Sequence, residues 1–369
     1  MNQLFRWDQT GLFLLALAAG ILPFAVPEVC AAALREGLTL CSGPLLLSLF
    51  PFLVVSRLLI QCPESDLLAL PFRLAAWGIG IRTPCAARVL CIGFLGGFAP
   101  AASAAAQAVR TGQLTAEDAD ALLPACICSG PSFVVLTVGQ SLLGSAELGV
   151  LLFASQITAN YLTAALLNRF AGVHSVKPGS AAPASPAPPR LDEILADAAI
   201  TYCKLCGFIL FFRMLAAGAG ALLPAGAGTL CAILLEVCSG CDLASRTGRW
   251  GSLLCCAALS VQGLSVLLQV RTICPPEMTL RPLYRARMLH LPLSLALFYL
   301  LLPGGEADVF STLPARVLLM RRVPPDCALL VFAVCCMAAC TLRSGIRQVE
   351  QKQMARNAGG CCINSKTLL

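Results

Sequence analysis

The sequence predicts an all-α polytopic membrane protein built from two repeats of transmembrane helices, some of them broken. Three observations carry this. Of 369 residues, 58% are hydrophobic and only 12% charged, against about a quarter charged in an average soluble domain, which leaves too few charges to clothe a soluble surface. Uncharged stretches close to the roughly 20 residues that cross a hydrocarbon core recur along the whole length. These stretches are rich in Leu, Ala and Gly without the alternation of a membrane β-barrel, so helices must satisfy the backbone.

Taken in order, Gln9 to Pro27 is the first candidate span. Arg6 is opposed by Asp8, and the apolar pattern continues into further spans, so this start reads as an anchor rather than a cleaved signal peptide. Gly37 to Ser56, Val89 to Val109, Ala121 to Ala146, Leu148 to Asn168, Met214 to Leu235 and Trp250 to Val270 each lack Asp, Glu, Lys and Arg. With the weaker stretches Met288 to Gly305 and Cys327 to Leu342, about eight to ten passes are expected, counting partial ones. Between two spans, Thr115 is the expected N-cap of a helix that carries Glu117 and Asp118 in its first turn.

A linker rich in Pro, Ala and Ser, Ala171 to Arg190, divides the chain. The expected organisation is a first membrane repeat at 1–170, the linker at 171–190, a second repeat at 191–344 and a basic tail at 345–369. Arg343, Arg347, Lys352 and Arg356 in and before that tail place it in the cytoplasm. Arg271, Arg281, Arg285 and Arg287 precede the Met288 stretch while Arg316, Arg321 and Arg322 follow it, and a single crossing cannot put both groups inside. The net charge of +7 is spread over short loops and forms no phosphate-tracking patch, which argues against nucleic acid as a partner. Twenty-one cysteines accompany only two histidines. Despite the Cys203/Cys206 and Cys238/Cys241 spacings, they read as small apolar residues between helices, so neither metal nor other cofactor is expected.

The halves share motifs in the same order. Phe52 to Leu59 resembles Phe208 to Leu215, each with one arginine (Arg57, Arg213). Gly93 to Pro100 and Glu236 to Cys241 interrupt apolar helices, as do Ser129 to Val134 and Val261 to Val266. A break inside a span frees backbone groups that lipid cannot satisfy, so it survives only in protein or against a hydrated cavity. Paired breaks therefore point to a solute site near the bilayer midplane. The candidate lining is Gly97, Pro100, Ser103, Gln107, Ser129, Gly130, Ser132, Glu236, Ser239, Gly240, Gln262, Gly263 and Ser265, with Arg213 as charge partner of an anionic solute. The competing role of such polar residues is interhelical hydrogen bonding, worth about 0.6 kcal/mol apiece on average. Arg57 is expected to snorkel to the interface. The chain lacks the metalloprotease, nucleophile-elbow and phosphate-loop motifs, which argues against an enzyme.

Gly93 to Pro100, Arg110 to Gln113 and Cys128 to Phe133, with Leu235 to Cys241, Leu259 to Val266 and Arg285 to His290, resemble the nucleoside-recognition or Gate domain, in particular the sporulation integral membrane protein of the YlbJ type. The resemblance runs over Leu12 to Leu302. It departs at Ala101-Ala102-Ser103, where that family tends to carry Gly-Ala-Lys, and at Ile127-Cys128, where it often has Asn. The resemblance implies a fold similar to concentrative nucleoside transporters, with re-entrant helical hairpins. It also implies a multi-pass protein of the cell membrane or outer forespore membrane that moves a small planar anion such as dipicolinate, with or without a coupling ion, alone or as an oligomer. The alternatives are a transporter of nucleosides or other small molecules, and a non-transporting assembly or sensor protein of spore formation.

Overall fold

Proline and glycine decide where the helices start and stop. The structure is a computed structural model and describes residues 9–61, 65–171 and 190–302. Among these residues every regular element is helical. Helix α1 (Gln9–Ala25) meets α2 (Pro27–Ser42) at 107°. Pro27 opens α2 and Pro44 opens α3 (Pro44–Gln61), positions where a missing N–H costs nothing. The short α4 (Ser65–Leu68) and α5 (Leu70–Gly78) follow. Next come α6 (Pro84–Gly96) and α7 (Phe98–Arg110), separated by Gly97 alone. Helix α8 (Ala116–Cys126) is capped by the Thr115 hydroxyl, which accepts from the Asp118 N–H at 3.0 Å. It leads across a short irregular stretch into a π-helix, Ser132–Leu142, and then into α9 (Ala146–Ala171).

The second half opens with the long α10 (Leu191–Leu222). Helix α11 (Ala225–Leu235) follows and α12 (Val237–Ser245) restarts directly after Glu236. A 3-10 turn, Gly248–Trp250, leads to α13 (Gly251–Val261), Gln262, α14 (Gly263–Ile273) and finally α15 (Arg281–Leu301). From α6 to α9 and from α11 to α15, each half runs broken pair, broken pair, long helix, while the first half carries α1 to α5 ahead of this and the second only α10.

Among the described residues, three helical segments are long and apolar enough to cross a membrane, Ala146–Ala171, Leu191–Leu222 and Gly248–Ile273, and the bent α1–α2 pair makes a fourth if it is one span. The broken α13–α14 segment is 61% buried against 33% for the unbroken α10. That order follows from the backbone: an interrupted helix must be wrapped by protein, whereas a continuous one can face lipid. Helix α7, rich in alanine, lies among α3, α6, α8 and α14, and α15 packs on α8, α9 and α13. Phe24, Leu74, Trp77, Phe170, Met288 and Leu300 point outward, which suits a hydrocarbon surround.

Several expectations shift. The Met214 to Leu235 stretch is two elements, the end of α10 and all of α11, because Pro224 lacks an N–H and holds Leu223 extended. Gly37 to Ser56 is interrupted at Gly43. The side chain of Arg57 is 11% exposed and pairs at 2.5 Å with Asp197 of α10, whose own side chain is 59% exposed. Arg287 is no loop charge but a buried residue of α15, which removes part of the conflict over arginines flanking the Met288 stretch. Linker residues 172–189, the Cys327 stretch and the basic tail lie outside the described residues.

Candidate functional site

The four interruptions meet in space, two by two. Gly97 has φ +80°, and a Cβ there would lie 2.6 Å from the Gly130 nitrogen. Gly263 has φ +68°, and its Cβ would lie 2.8 Å from the Glu236 nitrogen and 2.9 Å from the Leu235 oxygen. In each half, then, two broken helices cross backbone against backbone at a glycine that has no side chain to hold them apart. The halves are joined as well: the Gln262 amide donates to the Ile127 carbonyl, with N···O 3.5 Å.

A cavity of about 70 Å³ sits at this junction. Phe98 of α7, Ser132 and Phe133 of the π-helix, Val237 and Cys238 of α12 and Val266 of α14 line it from the first turns of their helices. Gly96, Ser129, Gly130 and Glu236 line it from the breaks, and Leu45, Leu49, Phe52 and Ile209 form an apolar wall from α3 and α10. Drug-sized ligands occupy pockets of about 300–1,000 Å³, so an organic solute could enter here only after the half-helices part.

Glu236 is the one carboxylate among the described residues that line the cavity, and no arginine, lysine or histidine lines it. It is 2% exposed, and its two oxygens accept from the Cys238 and Ser239 N–H groups at 2.8 and 2.7 Å. It therefore caps α12 and offsets the positive end of that helix. The N-termini of α7, the π-helix and α14 carry no side-chain cap. Gln269 completes the polar lining: its amide nitrogen donates to the Ser265 hydroxyl at 3.0 Å, and in this orientation its buried oxygen has no partner.

Of the residues chosen from sequence, Ser129, Gly130, Ser132 and Glu236 line this cavity. Gly97 and Gly263 build the crossings without lining it, and Gln262 reaches Ile127 instead. Ser265 is fully buried as the acceptor of Gln269. Pro100, Ser103 and Gln107 lie along α7 away from the lining. Gly240 is not the break. Helix α12 already starts after Glu236, whose carboxylate allows an immediate restart, and Gly240 instead lets α12 approach Ile233 of α11. Ser239 lines a different cavity, of about 250 Å³, between α2, α10 and α12, together with Asp242, Glu36 and Arg213. Arg213 pairs with Glu36 at 2.7 Å and is absent from the central cavity.

From sequence Gln269 reads as one of the amides within apolar stretches that could bond a polar solute, although it is not among the candidate lining above, and Phe52 goes unnoticed as lining because its apolar type carries no such signal. No protein-family model, curated protein or solved structure matches this chain.

Proposed function

We propose that this chain is an integral membrane transporter for a small polar solute, with the cavity between the four breaks as its binding site. The observation that carries this is the convergence of Gly97, Gly130, Glu236 and Gly263, far apart in sequence, around one partly polar cavity. Interrupted backbone at that depth suits a place where solute or water replaces intrahelical partners. The shared order of elements in the two halves favours an internal repeat, and with it a mechanism in which one group of helices rocks against the other. The resemblance to the nucleoside-recognition domain agrees with that plan and would place the protein in a sporulation membrane.

Two solute classes compete, and the lining weighs between them. A solute carboxylate about 4 Å from Glu236 would be repelled by about 4 kcal/mol at an effective dielectric constant of 20. Three uncapped helix N-termini return about 0.3–1 kcal/mol each. An uncharged solute that donates hydrogen bonds, such as a nucleoside, is thus favoured over the dipicolinate dianion. Glu236 and Gln269 would accept from it, while Phe98 and Phe133 would cover its ring.

The test is uptake of labelled uridine and labelled dipicolinate into proteoliposomes, beside empty vesicles and the Glu236→Gln variant. Uridine entry weakened in the variant is the expected result. Dipicolinate entry that the variant enhances would restore the anion reading, and entry of neither would favour the assembly or sensor reading.

A further inference from the structure

Outside the cavity, one side chain bridges the breaks of the two halves. Arg287 of α15 is 8% exposed. Its Nη2 donates to the Ile127 carbonyl at 2.5 Å and its Nη1 to the Ser260 carbonyl at 3.4 Å. Ile127 ends α8 and Ser260 lies in the last turn of α13, so both oxygens belong to the set that a helix C-terminus leaves without intrahelical donors. Ion pairs among the described residues involve other arginines, and none involves Arg287. A lone buried cation costs several kcal/mol unless something offsets it. Here the offset comes from two helix C-termini, each carrying about half a negative charge.

Asn160 and Gln262 add weaker donors to the same Ile127 oxygen, at 3.4 and 3.5 Å. Two residues beyond Ile127 the chain reaches Ser129 in the cavity wall, and two beyond Ser260 it reaches Gln262 and the Gly263 crossing. A planar guanidinium can address two carbonyls in different directions at once, which an ammonium does less well.

We propose that Arg287 is a positioning residue that pins the C-terminal ends of α8 and α13 together, and so sets the separation of the two broken halves around the cavity. The pin holds whether or not the protein transports anything, because Arg287 lies outside the lining. Release of one carbonyl would let the two halves part and admit a solute larger than the closed cavity accommodates.

Site-resolved alkylation by a membrane-permeant maleimide, read by mass spectrometry on the full chain, tests this without a substrate. Cys128 is 2% exposed beside Ile127, and Cys30 is 3% exposed in a separate apolar cluster with Phe212 and Leu215. Arg287→Met is expected to speed Cys128 alkylation about tenfold or more, with Cys30 within about twofold of the parent, because the opening is local. Arg287→Lys, which keeps the charge and loses the fork, should fall between; it decides the question alone if Arg287→Met does not fold. An unchanged Cys128 rate, or equal acceleration at Cys30, would overturn the pin. Where the parent protein takes up solute, Arg287→Lys should lower the maximal rate with half-saturation within about twofold. A change in half-saturation alone would make Arg287 part of the binding surface and overturn the proposal. If the parent takes up nothing, the transport reading fails, and the alkylation ratio still decides the pin.

Discussion

The break before α7 and the break before α12 each fall in the first broken pair of their half of the chain, yet they are built differently. Before α7 stands Gly97, with positive φ and no cap, pressed against the Gly130 backbone. Before α12 stands Glu236, extended, with its carboxylate on the helix N-terminus and the Gly263 backbone pressed against it. Close backbone approach is common to both crossings, whereas the glycine has changed sides and the charge is found in one half only. The shared feature is what two broken helices need in order to cross. The unshared one, Glu236, is the carboxylate that lines the cavity.

If backbone approach is the common requirement, Gly97→Ala and Gly263→Ala should be the most damaging small substitutions, and about equally so. Each combines a left-handed conformation, costing about 1–2 kcal/mol, with overpacking against main chain that cannot yield, costing about 1–3 kcal/mol. Thermal unfolding in detergent measures the loss. Gly144→Ala is the control, since Gly144 has φ +74° with nothing near its Cβ and should show only the conformational part. Equal losses for all three would mean that the crossings are not tightly packed and would break the comparison.

Next in size is a tie between the halves. Asp120 of α8 accepts from the Thr279 N–H at 2.8 Å, the Thr279 hydroxyl at 2.7 Å and the Leu280 N–H at 3.1 Å, just before α15 begins. Asp120→Ala should cost about 1.5–3 kcal/mol, the contribution of bonds to a charged acceptor, with the Leu280 N–H left buried while the exposed Thr279 donors can turn to water. Glu236→Ala, which removes a cap, should cost about 0.5–2 kcal/mol, and its larger effect should fall on solute preference. An Asp120 variant that altered preference as strongly as a Glu236 variant would sink the assignment of the cavity chemistry to the second half.

What the sequence made legible follows the range of the interactions involved. The Thr115 cap and the breaks at Gly97, Gly130 and Gly263 are local features, written in a few adjacent residues. The sequence shows no span over the first part of α10 because Asp192, Glu193, Asp197 and Lys204 interrupt its apolar run, although helix propensity does not require apolarity. The π-helix carries no distinctive composition. That Gly97 meets Gly130, or that Arg287 reaches both Ile127 and Ser260, depends on contacts across scores of residues, and a buried arginine in a charge-dense segment looks like a loop arginine. Gly240 misled because a glycine beside a serine resembles a break, while the carboxylate four residues earlier had already supplied one.

The smallest expected effects come from Arg57 and Arg213, which sit in matching motifs on α3 and α10. Each pairs with a carboxylate of a neighbouring helix, Arg57 with Asp197 and Arg213 with Glu36, and those carboxylates are 59% and 64% exposed. Exposed partners make weak pairs, so Asp197→Asn and Glu36→Gln should each cost about 0–1 kcal/mol. Solute uptake is the sharper reading. If both arginines are ties between helices, the two variants should leave half-saturation unchanged. Should Glu36→Gln shift it while Asp197→Asn does not, the freed Arg213 would be acting on the solute through the cavity it shares with Ser239. The second half would then hold both charges of the site, and the asymmetry first seen at Glu236 would extend to the route by which the solute arrives.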